Sequence, residues 1–359
     1  MIHVTKTYLP DIDKYKSYID KIYESGWLTN NGSFAQELQR RLEDYLQVRS
    51  LLLVSNGTLA LQIAYKLLGL KGEVITTPFS FVATTSSIVW EGLTPVFVDI
   101  DPETLNIDPS KIEEAITPNT SAIVATHVYG NACDIERIQD IADKYKLKVI
   151  YDAAHAFGVQ YKDKSILNCG DISTISFHST KTFHTIEGGA LRISDKLYDK
   201  GKCMINFGFN QHGIIEDLGI NTKVNEFQAA MGLCVLDDYQ FIVDSRKRVC
   251  QNYVQGLSEL ENISFPKQNL KSTRNYGYFP VIFESEDILK RVFNELNENQ
   301  IFPRRYFYPS LDQLSYVKPT KQVPISNDIS KRIACLPVFH NMNDAVIDKI
   351  ISIIKEFSK

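Results

Sequence analysis

The sequence lacks any long apolar segment. No apolar run approaches the ~20 residues that would cross a bilayer, and the N-terminal stretch MIHVTKTYLPDIDKY has no apolar core of the kind found in signal peptides. We therefore expect a cytoplasmic protein. The chain has 359 residues, of which 44% are hydrophobic and 23% are charged, so it can bury a large core and form two domains.

Cysteine motifs and blocks of like charge are also missing. The six cysteines are isolated, without a CxxC pair or a Cys/His spacing that suits zinc, which predicts reduced thiols and no metal site. The net charge is −4, and lysines and arginines are scattered along the chain. This pattern lacks the electrostatic signature of nucleic-acid or membrane binding, so an anionic ligand must be bound by local geometry.

Glycine-rich nucleotide motifs are absent too, since neither GxxxxGK[ST] nor GxGxxG occurs. What the chain does contain is an alternation of strand-like and helical patterns. Five short apolar runs, from SLLLV to KVIYDAA, alternate with helical patterns such as TLALQIAYKLLGL, PSKIEEAI and IERIQDIADKYK. This order predicts right-handed βαβ units and a mostly parallel sheet that is covered by helices on both faces.

The pattern changes near residue 225. A long helical stretch, NEFQAAMGLCVLDDYQFIVDSRKRVCQNYVQGLSEL, is followed by one strand-like run, YGYFPVIF, and by helical patterns around ILKRVFNELNENQ and AVIDKIISIIKEF. We interpret residues 1–240 as a large domain that begins with a helical segment, and residues 241–359 as a smaller α+β domain.

Three polar clusters follow apolar strands, where open α/β sheets bind their ligands. In VSNGTLAL a strand ends at Val54, and Gly57 and Thr58 open a helix whose free N–H groups suit a phosphate. In VIYDAAHAFG a strand ends at Asp152, whose carboxylate would need a cationic or strongly donating partner. In SFHSTKTFHTIEGGAL, Lys181 lies in a loop between two strands.

Each cluster alone has an ordinary structural interpretation, namely a helix N-cap, a structural ion pair and a solvated lysine. Together they supply what pyridoxal 5′-phosphate (PLP) requires. The cofactor needs a phosphate cup at a helix start, a carboxylate that keeps its pyridine nitrogen protonated, and a lysine that forms a Schiff base. The combination in this order predicts a PLP enzyme.

The chain resembles the DegT/DnrJ/EryC1/StrS family of sugar aminotransferases over nearly its whole length. The segments that carry the resemblance are ESGWLTNNG, VSNGTLAL, EVITTPFSFVAT, GLTPVFVDID, ITPNTSAIVATHVYG, YDAAHAFG, SFHSTKTFHTIEGGA, NTKVNEFQAAMGL and CLPVFHNMND. The resemblance implies the α/β fold of type I PLP-dependent transferases, like that of aspartate aminotransferase. This fold has a mostly parallel central sheet covered by helices and a smaller C-terminal domain.

The resemblance also implies individual roles. Lys181 is similar to the lysine that binds PLP covalently, and Asp152 to the partner of the pyridinium nitrogen, which makes both catalytic. The other cofactor-binding positions are Gly57, Thr58 and Ser176 at the phosphate, Phe81 stacked on the ring, His155 beside the ring oxygen, and Asn225. Ordinary structural roles also fit four of these residues: a strand-end hydroxyl for Ser176, a core aromatic for Phe81, a satisfied histidine for His155 and a helix cap for Asn225.

Asn225 corresponds to a residue that reaches the phosphate of the neighbouring subunit, so the resemblance implies a homodimer with shared active sites. Some relatives replace the lysine with histidine and become dehydratases. Lys181 is present here, which disfavours that reaction, and His178 and His184 receive no catalytic role.

GWLTNNG joined to SFHSTKTFHTIEGGAL is most similar to enzymes that transfer the amino group of L-glutamate to C4 of dTDP-4-keto-6-deoxy-D-glucose, in surface polysaccharide (O-antigen, lipopolysaccharide) synthesis. Amination at C3, a galacto-configured product, or a UDP- or GDP-linked sugar are the alternatives. A PLP-binding regulator is an alternative of another class. Arg304, Arg305, Tyr306 and Tyr308 are candidates for sugar and nucleotide binding, or for a solvated rim.

Overall fold

The computed structural model describes residues 1–318 and 321–358. Their α-helices, numbered α1 to α11, are Ile12–Ser25, Ser33–Leu46, Gly57–Leu67, Val82–Trp90, Ile135–Tyr145, Asp195–Met204, Glu226–Asp237, Tyr239–Leu257, Glu286–Glu298, Pro324–Arg332 and Asp344–Phe357. Their strands, numbered β1 to β14, are Ile2–His3, Leu51–Val54, Glu73–Thr76, Thr94–Phe97, Thr120–Thr126, Lys148–Asp152, Gln160–Tyr161, Lys164–Ser165, Ile172–Ser176, Gly189–Arg192, Ile263–Ser264, Phe279–Phe283, Ile301–Phe302 and Ile333–Leu336. Within the described ranges, no helix has the length and apolar character needed to span a membrane.

The central sheet contains seven strands in the order β2-β10-β9-β6-β5-β3-β4. Strand β10 is antiparallel to both of its neighbours, and the other neighbouring pairs are parallel. The predicted mostly parallel α/β sheet is therefore confirmed. Because β2, β6 and β9 point the same way, their carboxyl ends lie at one edge of the sheet, where the three polar clusters follow them.

Apolar side chains on both faces of the central sheet hold the helical layers. Along β2, Leu51 and Leu53 join a core that includes residues of α2, α5 and α7, whereas Leu52 and Val54 join a second core with residues of α3, α4 and α6. Successive strand residues point to opposite faces, so a strand covered on both sides has to be apolar throughout. This requirement explains the uninterrupted apolar run that the sequence shows here.

A second, smaller sheet has the strand order β11-β12-β14, and its strands are antiparallel. It packs with α8, α9 and α11 around a separate apolar core. The sequence predicted one strand here, YGYFPVIF. It missed β14 because that apolar run is only four residues long, which gives a weak periodic signal. The predicted division of the chain at residue 240 remains a prediction, and it falls at the start of α8.

Two sequence-based helix predictions were wrong in detail. The long stretch after residue 225 forms two helices, because the backbone leaves the helical conformation at Asp238, with φ −98° and ψ 5°. The segment PSKIEEAI forms two short 3₁₀ turns, Pro109–Lys111 and Glu113–Ala115. Such a short segment gains few hydrogen bonds for the cost of nucleating an α-helix.

A buried carboxylate, Glu226, joins α2 to α7. It is 1% exposed and accepts hydrogen bonds from the backbone N–H groups of Phe34 at 2.8 Å and Ala35 at 3.0 Å. These N–H groups lie in the first turn of α2, where no intrahelical acceptor exists and the positive end of the helix favours an anion. An added Cβ on Gly32 would lie 2.5 Å from Cδ of Glu226, so a side chain at this position would displace the carboxylate. Glu226 thus holds the end of the GWLTNNG loop beside Asn225.

We predict that Glu226→Gln lowers the free energy of unfolding by roughly 1.5–3 kcal/mol, because the amide replaces one charged acceptor by a donor that faces an N–H group. Urea unfolding of the two proteins measures this difference. The exposed Glu259 provides a matched control, and Glu259→Gln should change stability by at most about 0.5 kcal/mol. Equal effects of the two substitutions would contradict the proposed role of Glu226.

Candidate active site

The start of α3 and the end of β9 form a cup. The side chain of Asn56 caps the helix by accepting a hydrogen bond from the N–H of Leu59 at 2.9 Å. A Cβ on Gly57 would lie 3.0 Å from Cβ of Ser176, which shows how closely these two segments approach. Thr58 follows Gly57 and is exposed. The structure therefore brings the three predicted phosphate-binding residues together, with helix N–H groups and two hydroxyls as donors.

Gly189 shapes the same cup, although the sequence analysis gave it no role. A Cβ at this position would lie 2.7 Å from the carbonyl carbon of Asn56 and 2.8 Å from the backbone nitrogen of Gly57. Such distances are too short for a side chain on Gly189, so β10 can pass behind the helix start only with glycine there. This contact explains one of the two glycines in EGGAL.

Asp152 lies buried at the end of β6, and no cationic group of the described residues contacts it. Its two oxygens accept hydrogen bonds from the Thr84 hydroxyl at 2.7 Å and from the N–H of Ala154 at 3.0 Å. Burial raises the pKa of Asp152, while these two hydrogen bonds and the charge of Lys181 oppose the rise. Among the residues that the structure describes, none forms an ion pair with this carboxylate. A protonated ring nitrogen would supply the cation that the site lacks.

Lys181 is half-buried in the loop between β9 and β10. Its Nζ donates a hydrogen bond to the hydroxyl of Tyr278 at 3.2 Å. Removal from solvent lowers the pKa of Lys181 to about 8, against the opposing effects of Asp152 and Tyr306. The lysine is therefore a neutral amine over much of the mildly alkaline range, and a neutral amine is the form that attacks a carbonyl carbon.

His155 is part of an aromatic wall beside Lys181. Its ring lies parallel to Phe307 at 5.7 Å and against Tyr278 at 4.4 Å. Nδ1 of His155 accepts a hydrogen bond from the N–H of Tyr129 at 3.2 Å, and burial lowers the pKa of the imidazole well below its usual range. The neutral ring therefore carries its proton on Nε2, which has no partner within the described residues and can donate to a ligand oxygen.

Phe81 and Asn225, the two remaining predicted residues, lie at helix starts. Phe81 precedes α4, and its ring is 51% exposed, so it can cover a ligand that reaches Asp152. Asn225 caps α7, because its Oδ1 accepts a hydrogen bond from the N–H of Gln228 at 2.9 Å. Its Nδ2 has no hydrogen-bond partner in the described part of the chain. The cap and a donor role toward a phosphate are therefore compatible.

The two loop histidines differ in their surroundings. His184 is buried, Nε2 donates to the carbonyl of Tyr8 at 2.7 Å, and Nδ1 accepts from the N–H of Ile186 at 3.2 Å. Both ring nitrogens are thus satisfied, which fits a structural role. His178 contacts the hydroxyl of Thr180 at 2.8 Å and Glu187 at 3.5 Å, at the exposed side of the loop.

The residues of the segment PRRYFYPSL differ in how closely they lie to the site. Arg305 forms an ion pair with Glu286 at 3.0 Å, so this guanidinium is already engaged. Arg304 lies over the ring of Tyr306 at 5.2 Å. Tyr306 in turn packs edge-on against Tyr278 at 5.8 Å. Tyr306 therefore borders the lysine site.

Besides Gly189, four further residues that shape the site were not predicted from the sequence, namely Thr84, Tyr129, Tyr278 and Phe307. Thr84 lies in the first turn of the helix after FSF, so its place beside a strand end was a usable signal. The other three give no local signal. Tyr278, for example, is 97 positions from Lys181 in the chain, and only the folded topology brings the two together.

The donor set fits PLP. The cup offers hydroxyls and helix N–H groups for a phosphate, and Asp152 is a buried carboxylate whose partners in the described residues are neutral. Lys181 offers an amine of lowered pKa, and His155 offers an N–H. These groups match the phosphate, the ring nitrogen, the aldehyde and the ring oxygen of that cofactor.

We predict that the reactivity of Lys181 in the cofactor-free protein rises with pH and is half-maximal near pH 8, where its pKa lies. Reductive methylation over a pH series, followed by mass spectrometry of the peptide that contains Lys181, measures this midpoint. In Asp152→Asn the midpoint should fall further, because the carboxylate favours the charged amine. A midpoint near the ordinary lysine value of 10.5 would contradict the prediction.

Comparison with known proteins agrees with this geometry. Residues 11–355 match the DegT/DnrJ/EryC1/StrS aminotransferase family. A dTDP-4-amino-4,6-dideoxy-D-glucose transaminase of Shigella dysenteriae is 44% identical, with 99% of this chain and 98% of the relative covered. A protein of the same name from Escherichia coli is 39% identical, with 97% and 96% covered.

A crystal structure of DesI, solved in the presence of its TDP-sugar product, superposes with a TM-score of 0.94. It is 30% identical to this chain, and the superposition covers 99% of this chain and 93% of DesI. The type I PLP-dependent transferase fold predicted from the sequence is thereby confirmed. The chain belongs to the DegT/DnrJ/EryC1/StrS aminotransferase family, and its cofactor is pyridoxal 5′-phosphate.

Proposed function

We propose that this enzyme transfers the amino group of L-glutamate to C4 of dTDP-4-keto-6-deoxy-D-glucose. The products are dTDP-4-amino-4,6-dideoxy-D-glucose and 2-oxoglutarate. The observation that carries the proposal is the pair of relatives at 44% and 39% identity, which share one activity and align along almost the whole chain. The lysine, carboxylate and phosphate cup of the site supply the groups that such a transfer requires.

The chemistry of PLP is to accept the electron pair of the bond that breaks at the amino-bearing carbon. The protein's own residues prepare this step. Asp152 would keep a proton on the pyridine nitrogen, and donors of Gly57, Thr58 and Ser176 would hold the phosphate. The His155 Nε2–H would donate to the ring oxygen.

The proton transfers belong to Lys181. In the first half-reaction its amine would move the proton from the α-carbon of L-glutamate to the cofactor, and in the second it would move a proton from the cofactor to C4 of the sugar. An amine of pKa about 8 suits both transfers, because it gains and loses a proton at low cost near physiological pH. Phe81 would cover the open face of the ring and limit the access of water.

The proposal extends to assembly, organisation and location. We infer a homodimer in which Nδ2 of Asn225 reaches the phosphate bound by the other subunit. The separate apolar cores of the two sheets support a division into domains 1–240 and 241–359. Free cysteines support a cytoplasmic protein, and the amino sugar proposed as product suits O-antigen synthesis within the lipopolysaccharide.

The test of the reaction is the product itself. We predict that the PLP-loaded protein, L-glutamate and dTDP-4-keto-6-deoxy-D-glucose yield an amino sugar whose NMR couplings show an equatorial amine at C4. An axial amine, an amine at C3, or turnover only with a UDP- or GDP-linked sugar would replace this substrate assignment. Absence of turnover with every keto-sugar tested, despite bound PLP, would favour a regulator.

Lys181→Ala is the matched test of the catalytic group. It should lose the visible absorbance of the covalently bound cofactor and at least about a thousandfold in turnover. Lys144→Ala, which removes an exposed lysine that pairs with Glu113 on the surface, should keep both. If Lys181→Ala keeps the absorbance and the turnover, the lysine assignment is wrong.

We predict that shared sites produce complementation between two defective chains. Lys181→Ala and Asn225→Ala, dissociated and mixed at limiting PLP, should regain about a quarter of the wild-type activity. Half of randomly mixed dimers are hybrids, and each hybrid has one complete site. Activity no higher than the average of the two separate variants would show that Asn225 does not act across an interface.

A control separates the helix cap from the phosphate contact. The side-chain Oε1 of Gln228 accepts a hydrogen bond from the N–H of Asn225 at 3.1 Å, which completes the capping box. Gln228→Ala weakens the same cap but keeps the side chain of Asn225. This variant should retain its affinity for PLP, whereas Asn225→Ala should lose roughly tenfold or more.

A further inference from the structure

One hydroxyl group at the start of a strand of the smaller sheet contacts the catalytic lysine. Tyr278 directly precedes β12, and its hydroxyl is the hydrogen-bond partner of the Lys181 Nζ within the described residues, at 3.2 Å. Lys181 belongs to the loop that follows β9 of the central sheet. The contact therefore joins the two sheets at the atom on which the proposed chemistry depends.

The ring of Tyr278 is packed on several sides. It lies 4.4 Å from the ring of His155, 5.7 Å from Tyr129 and 5.8 Å from Tyr306. Aromatic contacts of this kind restrict a ring to one orientation. The hydroxyl is consequently held in one place, even though the phenol has only one polar atom to fix it.

The backbone that carries Tyr278 is fastened on two sides. The amide of Asn275 donates to the carbonyls of His155 at 2.8 Å and Phe157 at 3.1 Å, and its oxygen accepts from the N–H of Gly277 at 3.2 Å. Arg246, which is 2% exposed, donates to the carbonyl of Gly277 at 3.2 Å. Residues on both sides of this segment therefore fix the position of the following tyrosine.

A phenol suits a lysine that changes its protonation state. When the amine is protonated, N–H donates to the phenol oxygen, and when it is neutral, the phenol O–H donates to the nitrogen lone pair. Burial raises the pKa of Tyr278, so the hydroxyl keeps its proton in both situations. A carboxylate at this place would hold the lysine as an ammonium ion, and a hydrocarbon would offer neither interaction.

We propose that Tyr278 is a catalytic residue, whose hydroxyl holds the amino group of Lys181 within reach of the reacting carbons whenever that lysine is not attached to the cofactor. This inference rests on the proposed function, because it requires Lys181 to be the lysine that binds PLP and moves the proton. The tyrosine contacts the reacting nitrogen itself and positions it for both proton transfers.

The first test uses cofactor-free protein and does not depend on turnover. In Tyr278→Phe, the pH midpoint of reductive methylation at Lys181 should fall by roughly one pH unit. The phenol oxygen stabilises the charged amine more than the phenol proton stabilises the neutral one, since hydrogen bonds to charged groups are the stronger ones. An unchanged or raised midpoint would overturn the proposal.

Tyr253→Phe is the matched control. The hydroxyl of Tyr253 donates to the carbonyl of Pro337 at 3.0 Å in the core of the smaller sheet, so this variant loses one buried hydrogen bond without touching the lysine. The midpoint at Lys181 should stay at its wild-type value. Near-ultraviolet circular dichroism checks that both variants are folded. A fall of equal size in Tyr253→Phe would attribute the effect to general destabilisation and overturn the proposal.

The second test uses the PLP-loaded enzyme. Tyr278→Phe should lower kcat by about ten- to a hundredfold, because the free amine loses its fixed position, while KM for the keto-sugar changes by less than about threefold. A rise in KM with unchanged kcat would assign Tyr278 to substrate binding and overturn its role at the lysine. Failure of the proposed function is distinguishable, since it would appear as no turnover of dTDP-4-keto-6-deoxy-D-glucose by the wild-type enzyme, whereas the methylation midpoint at Lys181 is measured without turnover.

Discussion

The active site depends on two groups of opposite charge, Asp152 and Lys181, that lie close to each other without forming an ion pair. Asp152 and Lys181 influence each other's pKa, yet each makes its hydrogen bonds with neutral groups. A direct ion pair would fix the lysine as an ammonium ion and would occupy the carboxylate that the pyridine nitrogen needs. The hydroxyls of Thr84 and Tyr278 prevent this ion pair, because the first is a hydrogen-bond partner of Asp152 and the second is a hydrogen-bond partner of Lys181. We propose that the cofactor ring lies in the space between the side chains of Asp152 and Lys181.

Residues from both sheets hold Asp152 and Lys181 in these positions. Asp152 ends β6, and Lys181 lies in the loop after the neighbouring parallel strand β9, whereas Tyr278 directly precedes β12 of the smaller sheet. Asp99, buried just beyond the end of β4, accepts hydrogen bonds from the N–H groups of Ile325 at 2.9 Å and Ser326 at 2.8 Å at the start of α10. This contact ties the edge of the central sheet to α10, in the part of the chain that supplies the tyrosine.

The sequence predicted the parts of the site that are encoded locally. Gly57, Asp152 and Lys181 each follow an apolar run, so their position at a strand end could be read from neighbouring residues. Tyr278 could not be found in this way, because its contact joins remote segments and depends on how the smaller sheet docks. The strand β14 was missed for a different reason, because its apolar run is only four residues long and gives a weak periodic signal.

The difference between locally encoded residues and remote contacts also explains why the sequence predicts the cofactor more directly than it predicts the sugar. The predicted cofactor-binding groups lie at the ends of strands and at helix starts, which have few conformations and clear patterns. The GWLTNNG loop, in contrast, contains Asn30 and Asn31 with φ of 63° and 57°, a conformation that Asn tolerates better than most residues. It also exposes Trp27 and Leu28 by 55% and 52%. Their exposed apolar surface favours contact with a substrate or a second subunit, and the shape of that contact is set by loop geometry that no periodic pattern encodes.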